Sequence, residues 1–548
     1  MAGDRRVAAC RSGGGKLPDD ARGHAGQVRE LIAAMARNPS GETSASVYET
    51  ARLVGLAPWL PGHDVRIVWL LDRQRADGGW GGPEGYALVP SLSATDALLT
   101  VLSRGGGPGL AAELVRAADR GLRFVAGRLG DPAAPALPDL PATDLIVPAL
   151  LESIDGWLNG PEGPPAGLEA WRDRPRLPLP AGLDSGRLDR VRSLLGAGRP
   201  VPEKLAHALE VAGDRARRAA GVSPTGPGTI GASPAATAAW IGHPDDPGGS
   251  ASDYLRDVGR RGPVPCASPI AVFERAWVLS ILTRAGVPMT VPAALVGELR
   301  AAVGPVGAAT GPGLPADADT TSVTLYALAR LGVPVDPSSL RSYDTGAHFC
   351  TWRGEDGASV TTNAHVLDAL GHHLTHGGPA VHPRVAATAD RVAAWLVARQ
   401  QADGRWSDRW HASSYYATYC AMLALGDHVQ SAGARTAVGR ATDWLLDTQR
   451  PDGSWGRWAG TAEETAYAVL ALLAADRSFD QKVVAAVADG RRRLSELDGQ
   501  DGEPALWHDK DLYRPTLIVR AAVLAALWSG DGTTGPAPRA NPAMISNA

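Results

Sequence analysis

Asp317 and Asp319 stand one residue apart in Pro315-Ala-Asp-Ala-Asp-Thr-Thr-Ser322, directly before the apolar run Val323-Thr-Leu-Tyr-Ala-Leu328. Two carboxyls held this close cannot both ionise easily, so one keeps a proton near neutral pH, and burial favours the neutral form as well. A lone exposed carboxyl is ionised there and has no proton to give. A helix starting at this point acts the other way, stabilising the anion once the proton has left. The pair therefore suits general-acid chemistry. The same residues also read as a plain helix N-cap, because Asp, Thr and Ser are favoured before an apolar run.

Composition bounds what can position such a pair. The chain has 548 residues, 44% apolar and 20% charged, with a formal charge of −4. That length calls for two or three domains, and that charge offers no basic field for nucleic acid. Cys10, Cys266, Cys350 and Cys420 lack CxxC spacing, so neither a disulfide framework nor a zinc site is expected, and a cytoplasmic location is. The N-terminal stretch has no apolar segment of signal-peptide length, and no continuous apolar run is long enough to cross a bilayer, so no membrane span is expected. Residues 1–26 are Gly-rich and charged and read as a disordered tail.

Apolar residues spaced by three and four recur through the rest, as in 365–374, 464–477 and 516–528, while alternating strand patterns are scarce. An all-α chain of many short helices follows, with Gly and Pro clustered in the connectors. Sixteen Trp stand against 4 Phe. Several fall in a repeat, Q-x-x-D-G-x-W, at Gln74–Trp80, Gln400–Trp406 and Gln449–Trp455. Asp-Gly makes a tight turn ending a helix, Trp folds back over it, and Gln can bond freed backbone groups. This repeat staples a fold and does no chemistry.

The repeat resembles the QW motif of the triterpene and class II diterpene cyclases. Ser44–Ala51, Ser233–Trp240, Thr362–Leu367, Trp410–Thr418, Thr461–Tyr467 and Leu506–Tyr513 also look like segments of the bacterial members, so the resemblance runs from about residue 44 to residue 526. It implies two double-layered α-barrels: residues 27–59 as the first helices of a β domain, 60–245 as an inserted γ domain, 246–530 as the rest of β with the acid motif, and 531–548 as a disordered tail. It also implies protonation of a linear prenyl diphosphate and its folding into rings with the diphosphate retained. The substrate would be the C20 geranylgeranyl or the C15 farnesyl compound, with a class I synthase or phosphatase acting downstream.

The resemblance extends to site residues. Asp319 aligns with the family's general acid in a D-x-D-T-T variant of its D-x-D-D motif, with Asp317 and Thr320 as polar neighbours. Asn363 matches an amide that hydrogen-bonds the middle aspartate, though an N-cap is an equal reading. Trp352, Trp410, Tyr415, Tyr416 and Tyr467 are candidates for a pocket that stabilises carbocations, since aromatic faces attract cations. Lys510, and more weakly Arg520, would face the diphosphate. Asp144 would hold Mg2+, which favours a carboxylate with waters and phosphate oxygens. Glu463 and Glu464 read as structural acceptors, His365 as a satisfied surface or core histidine, and the terminating base as open among His411, a Tyr or a water. The DDxxD pattern of class I synthases is lacking, so no release of diphosphate is expected. A glycoside hydrolase would need two acids across a cleft; a non-catalytic helical-repeat binding module is the other alternative.

Overall fold

The computed structural model describes residues 19–546 apart from 107–108, 243–248, 356, 378–382, 476, 478, 498–501 and 529–542. Among the described residues six helices form a closed ring: Ala271–Arg284, Ala318–Arg330, Val360–His376, Ser414–His428, Ala462–Ala474 and Thr516–Leu527, each packed on the next and the last on the first. Their sequences explain the inner position. Ala462 through Val469 are buried without a break, as befits a helix surrounded by protein. Outer helices carry a single stripe instead. Gln481–Leu497 buries Val483, Ala486, Val487, Gly490, Leu494 and Leu497, the three–four spacing of one face. A smaller ring joins Val47–Leu56, Leu88–Ser103, Thr143–Asn159, the 3-10 stretch Glu203–Ala216 and Pro234–Ile241, with His63–Asp72, Ala111–Gly130 and Gly186–Gly196 outside it. The molecule is thus all-α and built of double-layered α/α toroids.

The three repeats make the same hydrogen bonds. Trp80, Trp406 and Trp455 are fully buried and donate their indole N–H to Leu70, Leu396 and Leu445 carbonyls at 2.7, 2.8 and 2.8 Å. Gln74, Gln400 and Gln449 each donate to the turn glycine's carbonyl and to a carbonyl of the next outer helix, at Ala117, Ala437 and Ala486. Each turn needs its glycine. Gly404 sits at φ +99°, and a Cβ there would lie 2.5 Å from the Arg440 carbonyl oxygen, a place no L side chain fits.

Three expectations about the ends and seams change. A helix starts at Asp19, inside the segment read as a tail; Val28, Leu31, Ile32 and Met35 supply the stripe that docks it. Ala543–Ser546, within the other expected tail, pairs in parallel with Met289–Pro292. The remainder of both tails lies outside the described residues. Val47–Leu56 and Gly249–Val258, read as β, pack with the smaller ring through Leu53, Ala57, Ala251 and Leu255. One apolar helical run, Glu84–Ser103, has the length and hydropathy of a membrane span, but 94% of it is buried inside the fold, which makes it a core helix.

Candidate active site

The acid motif sits where the ring helix Ala318–Arg330 begins. Asp317 is its N-cap and accepts the Thr320 N–H at 2.6 Å. A two-residue antiparallel pairing with Ala308–Ala309 and the Ala318 N–H to Thr351 carbonyl bond (2.9 Å) fix the approach. The Thr310 and Thr320 hydroxyls meet at 3.2 Å. Asp317 thus takes the cap, while Asp319, 17% exposed at its side chain, lines a cavity.

His365, one helix over, places Nδ1 2.6 Å from Asp319 Oδ1, and its Nε2 lies 3.5 Å from Cys420 Sγ. Burial works against protonating this imidazole, yet the Asp319 carboxylate overrides burial and lifts it well above its ordinary value. His365 therefore donates from Nδ1 to Oδ1 and leaves Oδ2 as the oxygen it does not engage. Asp317 is pushed up to about 8, first by burial and then by the charge of Asp319.

Raising Asp317 above its unfolded value means the fold prefers it protonated. Its contribution to stability is full below the ordinary carboxylate range, declines as pH rises, and is lost once pH passes about 8. Turnover should fall over the same upper limit, as a negative charge on Asp317 appears beside Asp319. Initial rates between about pH 6 and 9.5 check this, with Asp317→Asn expected to remove the alkaline limb.

Asn363 does not reach Asp319. It accepts the Phe349 N–H at 2.9 Å and donates to the Phe349 and Ser359 carbonyls at 2.9 and 2.8 Å, so its amide is spent holding the backbone of a neighbouring segment. Positions two apart on a helix point about 200° away from each other, so Asn363 and His365 cannot share a partner, and His365 is the one facing the acid. His365 is thus a largely buried, satisfied histidine, and its partner is Asp319.

The cavity measures about 1420 Å3 and is walled around Asp319 by Phe273, Trp277, Trp352, Trp410, Trp507 and Tyr513. Trp352 and Trp410 meet edge to face at 5.0 Å. Three indole N–H groups are spent on protein partners: Trp277 on Tyr416 Oη (2.7 Å), Trp507 on Glu463 (2.7 Å) and Trp410 on Thr351 (3.1 Å). Aromatic rings of this kind attract cations without bonding to them. Tyr415, Tyr416 and Tyr467 do not line this cavity. Tyr415 turns outward onto Trp444 (4.8 Å); Tyr416 and Tyr467, 4.9 Å apart, back Trp507 as a second layer. Phe273, Trp277, Trp507 and Tyr513 take the places given to them. Spacing of four between Phe273 and Trp277 on one helix was the legible sign.

Lys510 is fully buried away from the cavity. Its ammonium donates to Glu49 (2.6 Å), Glu210 (2.9 Å) and Ser233 (2.8 Å), which uses its three protons. Tyr48 adds a bond to Glu210 at 2.7 Å, and His207 bridges Asp509 at 2.8 Å and the Gly231 carbonyl at 2.6 Å. This network fastens the two rings together. Arg520 lies beside His24 of the first helix, outside the cavity lining. Asp144 does line the mouth, but Arg187 holds its Oδ2 at 2.8 Å. Among the described residues no three His, Cys, Asp or Glu side chains gather as a metal cage. The carboxylate expected to meet Mg2+ is thus paired with a guanidinium. The same lining carries Arg128, Arg187, Arg190 and Lys204 alongside Asp131, Asp139 and Asp184; the scatter of the four basic residues across 77 residues of sequence hid them.

An aspartate pair beside an aromatic chamber, on α/α toroids, is an arrangement suited to an acid-initiated hydrocarbon cyclase. Residues 355–513 match the squalene-hopene cyclase C-terminal domain. The chain is 43% identical over 509 residues to an ent-copalyl diphosphate synthase of Streptomyces sp. (strain KO-3988), covering 91% of this chain and 95% of the relative. It is 40% identical over 529 residues to a labda-7,13-dienyl diphosphate synthase of Streptomyces clavuligerus, covering 94% of each. The solved ent-copalyl diphosphate synthase of Streptomyces platensis superposes with a TM-score of 0.87 at 42% identity, over 92% of this chain and 99% of that one. The chain belongs to the class II terpene cyclases.

Proposed function

We propose that the enzyme protonates the terminal alkene of geranylgeranyl diphosphate and closes it to a bicyclic labdane- or halimane-type diphosphate. The observation that carries this reading is the Asp319 carboxyl, backed by His365 and opening into the aromatic chamber. The C20 substrate follows the relatives, whose names are those of copalyl and labdadienyl diphosphate synthases. In this reading the larger ring is the β domain and the smaller the γ domain.

Asp319 gives its Oδ2 proton to the terminal alkene, and the tertiary cation so formed is attacked by the next double bond. Trp352, Trp410, Trp507 and Phe273 stabilise the moving charge, each by about 0.5–2 kcal/mol. Arg128, Arg187, Arg190 and Lys204 meet the diphosphate at the mouth, as guanidinium and ammonium groups do for phosphate oxygens. Loss of a proton ends the sequence. The product leaves with its diphosphate attached, so the next reaction must ionise or hydrolyse it, which is work for a class I synthase or a phosphatase.

Purified protein incubated separately with geranylgeranyl and farnesyl diphosphate, then treated with phosphatase, tests this by mass spectrometry. A bicyclic C20 alcohol is expected, with no inorganic pyrophosphate released beforehand. A cyclic product from the C15 compound alone would move the substrate to farnesyl diphosphate. Pyrophosphate appearing in step with product, or no cyclic product from either, would overturn the reading.

A further inference from the structure

Between the helices Ala111–Gly130 and Thr143–Asn159 the chain runs Asp131-Pro-Ala-Ala-Pro-Ala-Leu-Pro-Asp-Leu-Pro-Ala142. Pro132, Pro135, Pro138 and Pro141 recur every third residue, the period of a polyproline II helix. Residues 135–140 carry no helix or strand, and each proline fixes φ and removes a donor. The segment is stiff, with small or apolar side chains between its prolines. Ala134 through Ala142 line the cavity without a gap.

The segment is docked at specific points. Leu140, 4% exposed, sits in a small separate core with Tyr86, Ala412, Leu506 and Leu512, three of which belong to the larger ring's side of the seam. Asp139 bonds Arg409 at 2.7 Å, and Arg409 itself lines the cavity. Arg128 donates to the Pro135 carbonyl at 3.2 Å. Gly85 underlies the run so closely that a Cβ there would lie 2.4 Å from Ala136 O and 2.7 Å from Pro138 Cδ. At the far end Ala142 takes a left-handed φ of +56°, which turns the chain sharply into the next helix.

We propose that residues 131–142 are a rigid strap closing the mouth of the cavity against the larger ring, and that its docking through Leu140 and Asp139 keeps water from the cyclised cation. This rests on the prenyl diphosphate reading. A docked strap lets the cation end by losing a proton, which gives an olefin. An undocked strap admits water: its oxygen forms a C–O bond with the cation, one O–H proton leaves to solvent, and the product is a hydroxylated diphosphate. Leu140 and Asp139 are positioning residues and touch no reacting atom.

The experiment compares wild type, Asp139→Asn and Leu140→Ala with geranylgeranyl diphosphate, scoring KM, kcat and the ratio of hydroxylated to olefinic product after phosphatase. The hydroxylated fraction should rise in both variants. KM should rise about two- to fivefold for Asp139→Asn, the range open to a part-exposed ion pair, and about tenfold for Leu140→Ala, while kcat holds. Amide exchange across 133–140, measured without substrate, should quicken in both variants. An unchanged product ratio and KM in variants that exchange faster would overturn the water-exclusion role, and unchanged exchange would overturn the docking. If the wild type makes no bicyclic diphosphate, the functional reading falls while the exchange result still decides whether the strap is docked.

Discussion

Asp319→Asn should abolish cyclisation, lowering turnover by about 10^3-fold or more, at the upper part of what a general acid contributes. The amide keeps the size of the carboxyl and can still accept from His365 Nδ1, now 2.6 Å away, but it has no acidic proton. Because Asp319 is what lifts His365 above its ordinary value against the pull of burial, the histidine in the variant should fall back to the neutral form and remain a donor through Nδ1–H. The fold should survive. Thermal melting and binding of a non-reacting thiolodiphosphate analogue separate loss of chemistry from loss of structure: both should stay close to wild type while turnover vanishes. Near-wild-type turnover would remove Asp319 as the acid. Asp317→Asn should be milder, because an asparagine still caps the Thr320 N–H.

Lys510→Met carries the second large effect, and it falls on stability. The ammonium answers Glu49 and Glu210 inside the seam, where no solvent reaches. Removing one partner of a buried ion pair typically costs about 3–5 kcal/mol, because the charge left behind has nothing to meet it. Burial already pushes Glu49 up to about 7 even with Lys510 present, so the variant should relieve part of the cost by taking up a proton. Urea unfolding checks the size, and adding Glu49→Gln and Glu210→Gln should restore a good part of it. A diphosphate ligand at this position would behave otherwise, with KM raised and unfolding unchanged.

The two variants also mark how far the chain could be read. The aspartate pair at a helix start was legible because a short motif and the onset of an apolar run coincide. The staples were legible because Gln, Asp-Gly and Trp act within seven residues. Partnerships across helices were not. His365 lies 46 residues from Asp319, and only the packing of Ala318–Arg330 on Val360–His376 brings them together. Asp509-Lys510-Asp511 has the look of a solvated charge run, yet all three are buried, because Glu49, Glu210, His207 and Ser46 wait for them on the other ring. Of the five aromatics expected around the chamber, Trp352 and Trp410 line it and the three tyrosines do not, for a similar reason. Tyr415 and Tyr416 are neighbours in sequence, but a turn of about 100° between them sends one outward and the other behind Trp507.

The closed ring has an electrical corollary. The cavity lining includes Ile270, Phe273, Asp317 and Asp319 at the starts of two ring helices, and Trp352, Glu355, Arg409, Trp410, Trp507 and Tyr513 on segments that lead into three others. Helix starts carry partial positive charge. The chamber floor is therefore at a more positive potential than its lip once a diphosphate sits there. That gradient eases the departure of a proton from the floor and draws the migrating charge from the hydrocarbon tail toward the anionic head, the direction in which the rings must close.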